Sequence, residues 1–206
     1  MPLSELILLG LMHLGEIIFG GVGCGLYTML MFIVLTIFVA GLMVGRTPEY
    51  LGKKIGPFEM KMATLSILVM PITVLVFTAI TVMTQTGMQA GPHGLSQVLY
   101  AFTSMVNNNG SALGGFKVNT FFYNTLGGIS MLIGRYGIII PVLAMAGSLV
   151  NKKLTPQSSG TLETHSALFC SLLIIVILIL GALSFFPVLV LGPIVEHLML
   201  WGKYGI

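Results

Sequence analysis

Long apolar stretches with almost no charge dominate this sequence, and they restrict its possible folds more than any single motif does. The clearest is Ala167–Leu191, which contains no charged residue over 25 positions. A transmembrane helix needs about 20 such residues. Because 56% of the chain is hydrophobic and only 7% is charged, a water-soluble domain would lack the polar groups to cover its surface. The sequence therefore predicts an integral membrane protein.

Three further apolar stretches raise the predicted number of membrane crossings to about four. They cover residues 3–45, 62–84 and 121–150. A shorter apolar stretch, 94–106, has only 13 residues, which is too few to span the bilayer but suits a half-helix that enters and leaves on one side. The predicted fold class is an all-α polytopic membrane protein with about four transmembrane helices and one re-entrant pore helix.

The few charged residues are concentrated in short loops. Their positions predict the orientation of the chain in the membrane, and the missing residue types exclude some kinds of catalysis. The loop between the apolar stretches 3–45 and 62–84 carries four basic residues, Arg46, Lys53, Lys54 and Lys61. The positive-inside rule places this loop in the cytoplasm. The chain contains no aspartate, which excludes an aspartyl-phosphate and paired-aspartate catalysis. The segment 45–54 lacks the spacing of a phosphate-binding loop. We therefore expect no catalytic residue and no bound nucleotide in this chain.

A polar loop, Asn107–Ser111, follows the short apolar stretch directly. In hydrocarbon an unpaired peptide group costs several kcal/mol, so such a loop survives at membrane depth only when protein or an aqueous cavity surrounds it. Backbone carbonyls in a loop of this kind can replace the water shell of a permeating ion. We interpret the loop as part of a cation filter.

The first long apolar stretch is interrupted by Glu16 and by a glycine-rich run. Each glycine costs about 1 kcal/mol in a helix interior, and an acidic side chain is expensive in lipid. The pattern fits a helix broken by an intramembrane loop, and it fits equally a glycine packing face with the carboxylate at the headgroups. The run consists of Gly20, Gly21, Val22, Gly23, Cys24 and Gly25.

One arginine, Arg135, stands inside the third long apolar stretch with more than ten uncharged residues on either side. An intramembrane arginine marks a functional site by default and should face a pore or a carboxylate. The alternative is an arginine that snorkels to the interface. Cys24 and Cys170 lie 146 positions apart in apolar segments, so they match neither a disulfide framework nor a metal site, and we expect no metal beyond a transported ion.

Several segments together resemble one family, and the similarity runs from about Leu14 to Leu200. That family is the potassium-binding A subunit of the bacterial Kdp potassium-transporting ATPase, within the superfamily of potassium transporters. The segments that carry the resemblance are GEIIFGGVGCGLY at 15–27, GRTPEYLGKK at 45–54, NNNGSALGG at 107–115 and GRYGIIIPVLAMAGSLVNKK at 134–153.

The resemblance implies a filter assembled from four units, each a helix, a pore loop and a second helix. It also implies that potassium is the substrate and passes from the filter to a P-type ATPase subunit. In this chain one filter strand is implied, formed by Asn108, Asn109, Gly110 and Ser111. A gating loop is implied at Gly20–Gly25, with Glu16, Arg46 and Arg135 as charged residues along the ion's exit path.

The implied layout has three parts: residues 1–61, 62–153 and 154–206. Residues 1–61 hold the broken second helix of the third unit and its cytoplasmic loop. Residues 62–153 form the fourth unit. Residues 154–206 form a cytoplasmic linker, a final transmembrane helix and an external tail. A full subunit would be more than twice as long, so we expect this chain to represent a C-terminal portion that needs the missing part.

The expected partners are the P-type ATPase catalytic subunit, the small membrane subunits of the Kdp complex and lipid, without nucleic acid. The expected location is the bacterial inner membrane. Two alternatives stay open from the sequence: a non-transporting remnant, and a channel-type or secondary potassium transporter subunit that works without an ATPase.

Overall fold

Helices make up almost all of the described structure. The computed structural model describes residues 2–17, 25–45, 47–84, 94–117, 119–156 and 163–204. In chain order the elements are α1 Pro2–His13, α2 Gly25–Val44, β1 Glu49–Tyr50, β2 Lys53–Lys54, α3 Pro57–Thr84, α4 Gly94–Val106, α5 Phe121–Asn151 and α6 Ala167–Tyr204.

Four of these helices contain segments long and apolar enough to cross a membrane. The segments are Gly25–Met43, Pro57–Thr84, Phe121–Asn151 and Ala167–Leu191. The predicted all-α polytopic membrane fold with about four crossings is thereby confirmed. The predicted half-helix is present as α4, with the bounds expected from the sequence, and eleven of its thirteen residues are buried.

Two predicted helix ends differ from the structure, and proline accounts for both. Helix α3 begins at Pro57, five residues earlier than expected, because proline in the first helical turn forfeits no hydrogen bond. The backbone N–H of Gly56 donates to Glu59 at 2.7 Å and caps this start. Helix α6 continues past Leu191 to Tyr204, where the sequence predicted a tail, since Pro193 removes only one backbone donor and a long helix tolerates that loss.

The break after α1 is set by a C-terminal cap at Gly15. The N–H of Glu16 donates to the carbonyl of Leu11 and the N–H of Gly15 to that of Met12, the hydrogen-bond pattern of a Schellman cap. Gly15 has φ +81, and a Cβ there would lie 2.9 Å from Thr28. The predicted interruption of the first apolar stretch is confirmed at both flanks, whereas residues 18–24 lie outside the described part.

The helices α2, α3 and α5 pack around a shared apolar core that includes Met31, Ala63 and Val142. Gly137 on α5 lies against Val69 on α3, so closely that a Cβ at Gly137 would come within 2.8 Å of it. Small residues of this kind let membrane helices approach each other and gain dispersion energy. This pair of helices forms the wall against which α4 rests.

Between α2 and α3 the chain forms a hairpin that the sequence did not predict. Its two strands have two residues each, and the turn residues Leu51 and Gly52 have φ values of 50 and 72. Lys53 donates to the carbonyl of Leu149 at 2.6 Å, one of the last four carbonyls of α5, which have no partner four residues further along the helix. The hairpin therefore holds the end of α5 beside the start of α3.

A buried ion pair reinforces the same junction. Glu59 is 1% exposed, and its carboxylate accepts from Lys152 at 2.5 Å and from Ser148 at 2.5 Å. Lys152 also donates to the carbonyl of Lys54 in the hairpin at 2.9 Å. A buried charge needs such a set of partners. Glu59 and Lys152 thus join α3, α5 and the hairpin.

Candidate functional site

The polar loop begins with a second Schellman cap, at the end of α4. The N–H of Asn109 donates to the carbonyl of Ser104 at 2.9 Å, and the N–H of Asn108 donates to that of Met105 at 2.9 Å. Asn108 takes the left-handed conformation that the cap requires, with φ 62. Asparagine is one of the few residues other than glycine that adopts it readily. The cap turns the chain sharply from the half-helix into the loop.

Gly110 is the second left-handed residue of the loop, with φ +74. A Cβ built there would meet no described atom within 4 Å, so the conformation explains the glycine better than lack of space does. The residue is exposed, as are Asn109 and Ser111 on either side. The backbone at Gly110 is therefore open to a ligand from the side where a side chain would otherwise stand.

Ser111 is held by hydroxyl groups of the half-helix. Its Oγ lies 2.9 Å from Ser104 Oγ and 3.2 Å from the hydroxyl of Tyr100. Ser104 is fully buried, and its backbone carbonyl also accepts the Asn109 cap bond. The loop is thus fastened to α4 on both sides of Gly110, which limits how far the backbone at Gly110 can move.

The first two asparagine side chains serve the backbone rather than the cavity. Asn107 donates to the carbonyl of Thr103 at 3.0 Å and to that of Met12 in α1 at 3.3 Å. Asn108 donates to the carbonyl of Val106 at 3.1 Å. The Asn108 amide satisfies a carbonyl at the end of α4 that lacks a helical partner, and the Asn107 amide links the end of α4 to the end of α1. These side chains stabilise the end of the half-helix.

Glu16 lies against the loop and contacts the third asparagine. The amide nitrogen of Asn109 donates to Glu16 Oε1. Glu16 Oε2 is buried and has no hydrogen-bond partner among the described residues. Glu16 itself has φ 49, in the same C-terminal cap that ends α1. A carboxylate is thereby placed beside the exposed part of the polar loop.

These groups line a cavity of about 800 Å³. Its polar side is formed by Glu16, Asn109, Ser111 and Tyr100, and its apolar side comes from α1 and α6, including Leu8 and Ile174. In the hydrocarbon region of a membrane, exposed peptide groups must face water or protein rather than lipid. A loop with accessible backbone beside a carboxylate suits a desolvated cation, because both supply oxygen ligands.

The structure does not bring all the predicted site residues to this cavity. Arg135 lies on α5, partly buried beside Gly134, and is not among the described residues that line the cavity. Gly25 is the buried first residue of α2. Arg46 and the rest of the predicted gating loop, Gly20–Cys24, lie outside the described residues.

Two residues that position the loop were missed from the sequence. Gly134 on α5 faces the end of α4, and a Cβ there would lie 2.0 Å from the carbonyl oxygen of Val106. His13, the last residue of α1, is buried with its Nε2 3.3 Å from Thr103 Oγ1. For His13 the sequence did offer a signal, namely a histidine inside an apolar run three positions before Glu16.

Known proteins identify the family. The family model described as potassium-transporting ATPase A subunit matches residues 1–198. The chain belongs to this family. A potassium-transporting ATPase potassium-binding subunit from Sorangium cellulosum is 62% identical over 201 residues, which is 96% of this chain and 35% of the relative. The proteins of the same name from Herpetosiphon aurantiacus and Citrobacter koseri are 61% and 56% identical.

The A-subunit family confirms the resemblance seen in the motifs. It also confirms the expectation that the chain matches only part of a family member, since it spans 35% to 36% of the length of these relatives. Potassium transport and membership of a Kdp-type complex are the properties of this family. The roles of individual loop residues remain predictions.

Proposed function

We propose that this chain carries one strand of a potassium filter in the potassium-binding subunit of an ATP-driven uptake complex. The single observation that supports it most is the exposed left-handed backbone at Gly110, whose neighbours Asn109 and Ser111 line the cavity. Asn109, Gly110 and Ser111 would supply backbone oxygens in place of part of the ion's hydration shell. The relatives named above are potassium-binding subunits, which supports potassium as the ion.

The proposed binding relies on a loop that is rigid before the ion arrives. Hydrogen bonds from Asn109 and Ser111 to α4 hold both sides of Gly110, so little ordering is left to occur on binding. The carboxylate of Glu16 adds negative charge at the cavity wall and favours cations over anions. No catalytic step is assigned to this chain, and ATP hydrolysis belongs to the P-type ATPase subunit.

A single strand supplies only part of a coordination shell. The other strands would come from the portion of the family member that this chain does not match, and that portion would also cover the exposed polar loop. We assign the gate on the ion's exit path to Gly20–Gly25, with Glu16, Arg46 and Arg135 as its charges. The proposed location is the bacterial inner membrane.

Reconstitution in lipid vesicles tests this function. The chain is combined with the P-type ATPase and small subunits of a relative, with and without a second polypeptide that holds the unmatched portion of that relative's A subunit. We expect potassium-stimulated ATP hydrolysis only when the second polypeptide is present, because one strand lacks most of the required oxygens.

The control is the relative's intact A subunit in the same vesicles. If the intact subunit gives stimulation and the two-piece combination gives none, this chain is a non-transporting remnant and the proposal is wrong. Full stimulation by this chain alone would contradict the requirement for additional filter strands.

A further inference from the structure

His13 connects three helices directly behind the filter strand. Its ring stacks on Phe185 of α6 with the ring centroids 3.9 Å apart and the planes 2° apart. Its Nε2 lies 3.3 Å from Thr103 Oγ1 on α4, and its own position is the end of α1. The side chain is 8% exposed, so it is part of the packed interior and not of the cavity wall.

The direction of the hydrogen bond between His13 and Thr103 follows from the other contact of the Thr103 hydroxyl group. Thr103 Oγ1 donates to the carbonyl of Leu99 at 2.7 Å, which leaves its oxygen to accept. The contact with His13 is then a hydrogen bond in the tautomer that carries its proton on Nε2. The result is a chain of two hydrogen bonds that runs from α1 through Thr103 into the backbone of α4.

A second connection lies one helical turn further along the chain, directly after the last residue of α4. Asn107 donates to the carbonyl of Met12, the neighbour of His13. Residues four apart share a helix face, so Thr103 and Asn107 both meet the end of α1 with the same side of α4. Two contacts one turn apart restrain rotation of α4 about its axis as well as sliding along it.

Rotation of α4 determines where the filter strand lies. Ser104, next to Thr103, anchors the strand through its carbonyl, which accepts from Asn109, and its hydroxyl, which lies 2.9 Å from Ser111 Oγ. A turn of α4 that broke the contact between His13 and Thr103 would carry these anchors with it. From this geometry we infer that His13 is a positioning residue for potassium binding, which sets the rotation of the half-helix and thereby the backbone at Gly110.

This inference rests on the proposed function, and two measurements distinguish a failure of the inference from a failure of the proposed function. The variants are His13→Phe, which keeps a ring against Phe185 without the N–H donor, and His13→Gln, which keeps a donor near the Nε2 position. Ile7→Ala, on the exposed face of α1 at 62% exposure, is the control. All are measured in the complete two-piece complex in vesicles.

The first readout is backbone hydrogen exchange of segment 104–112, which does not depend on transport. We expect faster exchange at Asn109 and Gly110 in His13→Phe and rates close to the original in His13→Gln and Ile7→Ala. The second is the potassium concentration for half-maximal ATP hydrolysis. It should rise about tenfold in His13→Phe, as expected for a lost buried hydrogen bond, with a much smaller change in maximal rate.

Thr103→Val should reproduce the effect of His13→Phe, and the double variant should be no worse than either single one, because both remove the same link. The inference is overturned if His13→Phe leaves both exchange and potassium dependence unchanged, or if His13→Gln is as damaging as His13→Phe. A complex that hydrolyses ATP without any potassium dependence rejects the proposed function, while the exchange rates still decide the role of His13.

Discussion

Gly110→Asp is expected to abolish potassium-stimulated ATP hydrolysis in the assembled complex. The residue has φ +74, a conformation that costs an L-residue roughly 1–2 kcal/mol. The larger effect is positional, because the new carboxylate would occupy the space from which the ion approaches the backbone. A charge fixed there would compete with carbonyl coordination and trap or exclude the cation. The measurement is the hydrolysis rate across a potassium titration.

Gly114→Asp is the matched control, since Gly114 belongs to the same loop region and a side chain there also meets no described atom within 4 Å. It adds the same charge without a positive φ. We expect the control to retain potassium stimulation. Full activity in Gly110→Asp would remove Gly110 from the filter, and equal loss in both variants would mean that added charge anywhere near the loop is harmful.

Gly134→Ala is expected to be among the most damaging single-methyl changes in this chain. The added Cβ would lie 2.0 Å from the carbonyl oxygen of Val106 and 2.8 Å from its carbonyl carbon. Backbone atoms cannot turn away as a flexible side chain does, so α4 and α5 must separate. Overpacking costs typically 1–3 kcal/mol and occasionally more, and we expect a loss of about 3 kcal/mol together with weaker potassium stimulation.

Gly128→Ala provides the comparison, because it lies on the same helix and a Cβ there meets no described atom within 4 Å. Thermal unfolding of both variants in the same detergent gives the stability difference. Gly128→Ala should match the original chain or exceed it slightly, since alanine favours the helix. A Gly134→Ala protein as stable as Gly128→Ala would contradict the close contact between α4 and α5.

The membrane fold was predictable because it depends on local composition. Long uncharged stretches determine the crossings, and the half-helix α4 was bounded correctly, since a polar loop follows Val106 directly. The hairpin was missed because strands of two residues show no alternation, and its contact with α5 joins Lys53 to Leu149, 96 positions away. Contacts between distant segments leave no periodic pattern in the sequence.

Part of the candidate site was also visible in the sequence. The exposed loop and its glycine follow from the chemistry of Asn107–Ser111, and Glu16 was singled out because a carboxylate is costly in lipid. The sequence did not indicate that Glu16 bonds to Asn109, or that His13 supports the loop from behind, since both contacts depend on how α1 packs against α4. The roles of Arg46, Arg135 and the glycine-rich gate stay predictions.

The carbonyl of Asn109 offers the most direct test of the filter assignment. Asn109–Gly110 is the only Asn-Gly pair in the sequence, so labelling this polypeptide with carbonyl-¹³C asparagine and ¹⁵N glycine gives a single correlated signal in solid-state NMR. In the complete complex we predict that potassium shifts this carbonyl resonance over the concentration range that stimulates ATP hydrolysis, and that sodium at the same concentrations does not. A resonance that stays unchanged while potassium stimulates hydrolysis would contradict coordination by this strand.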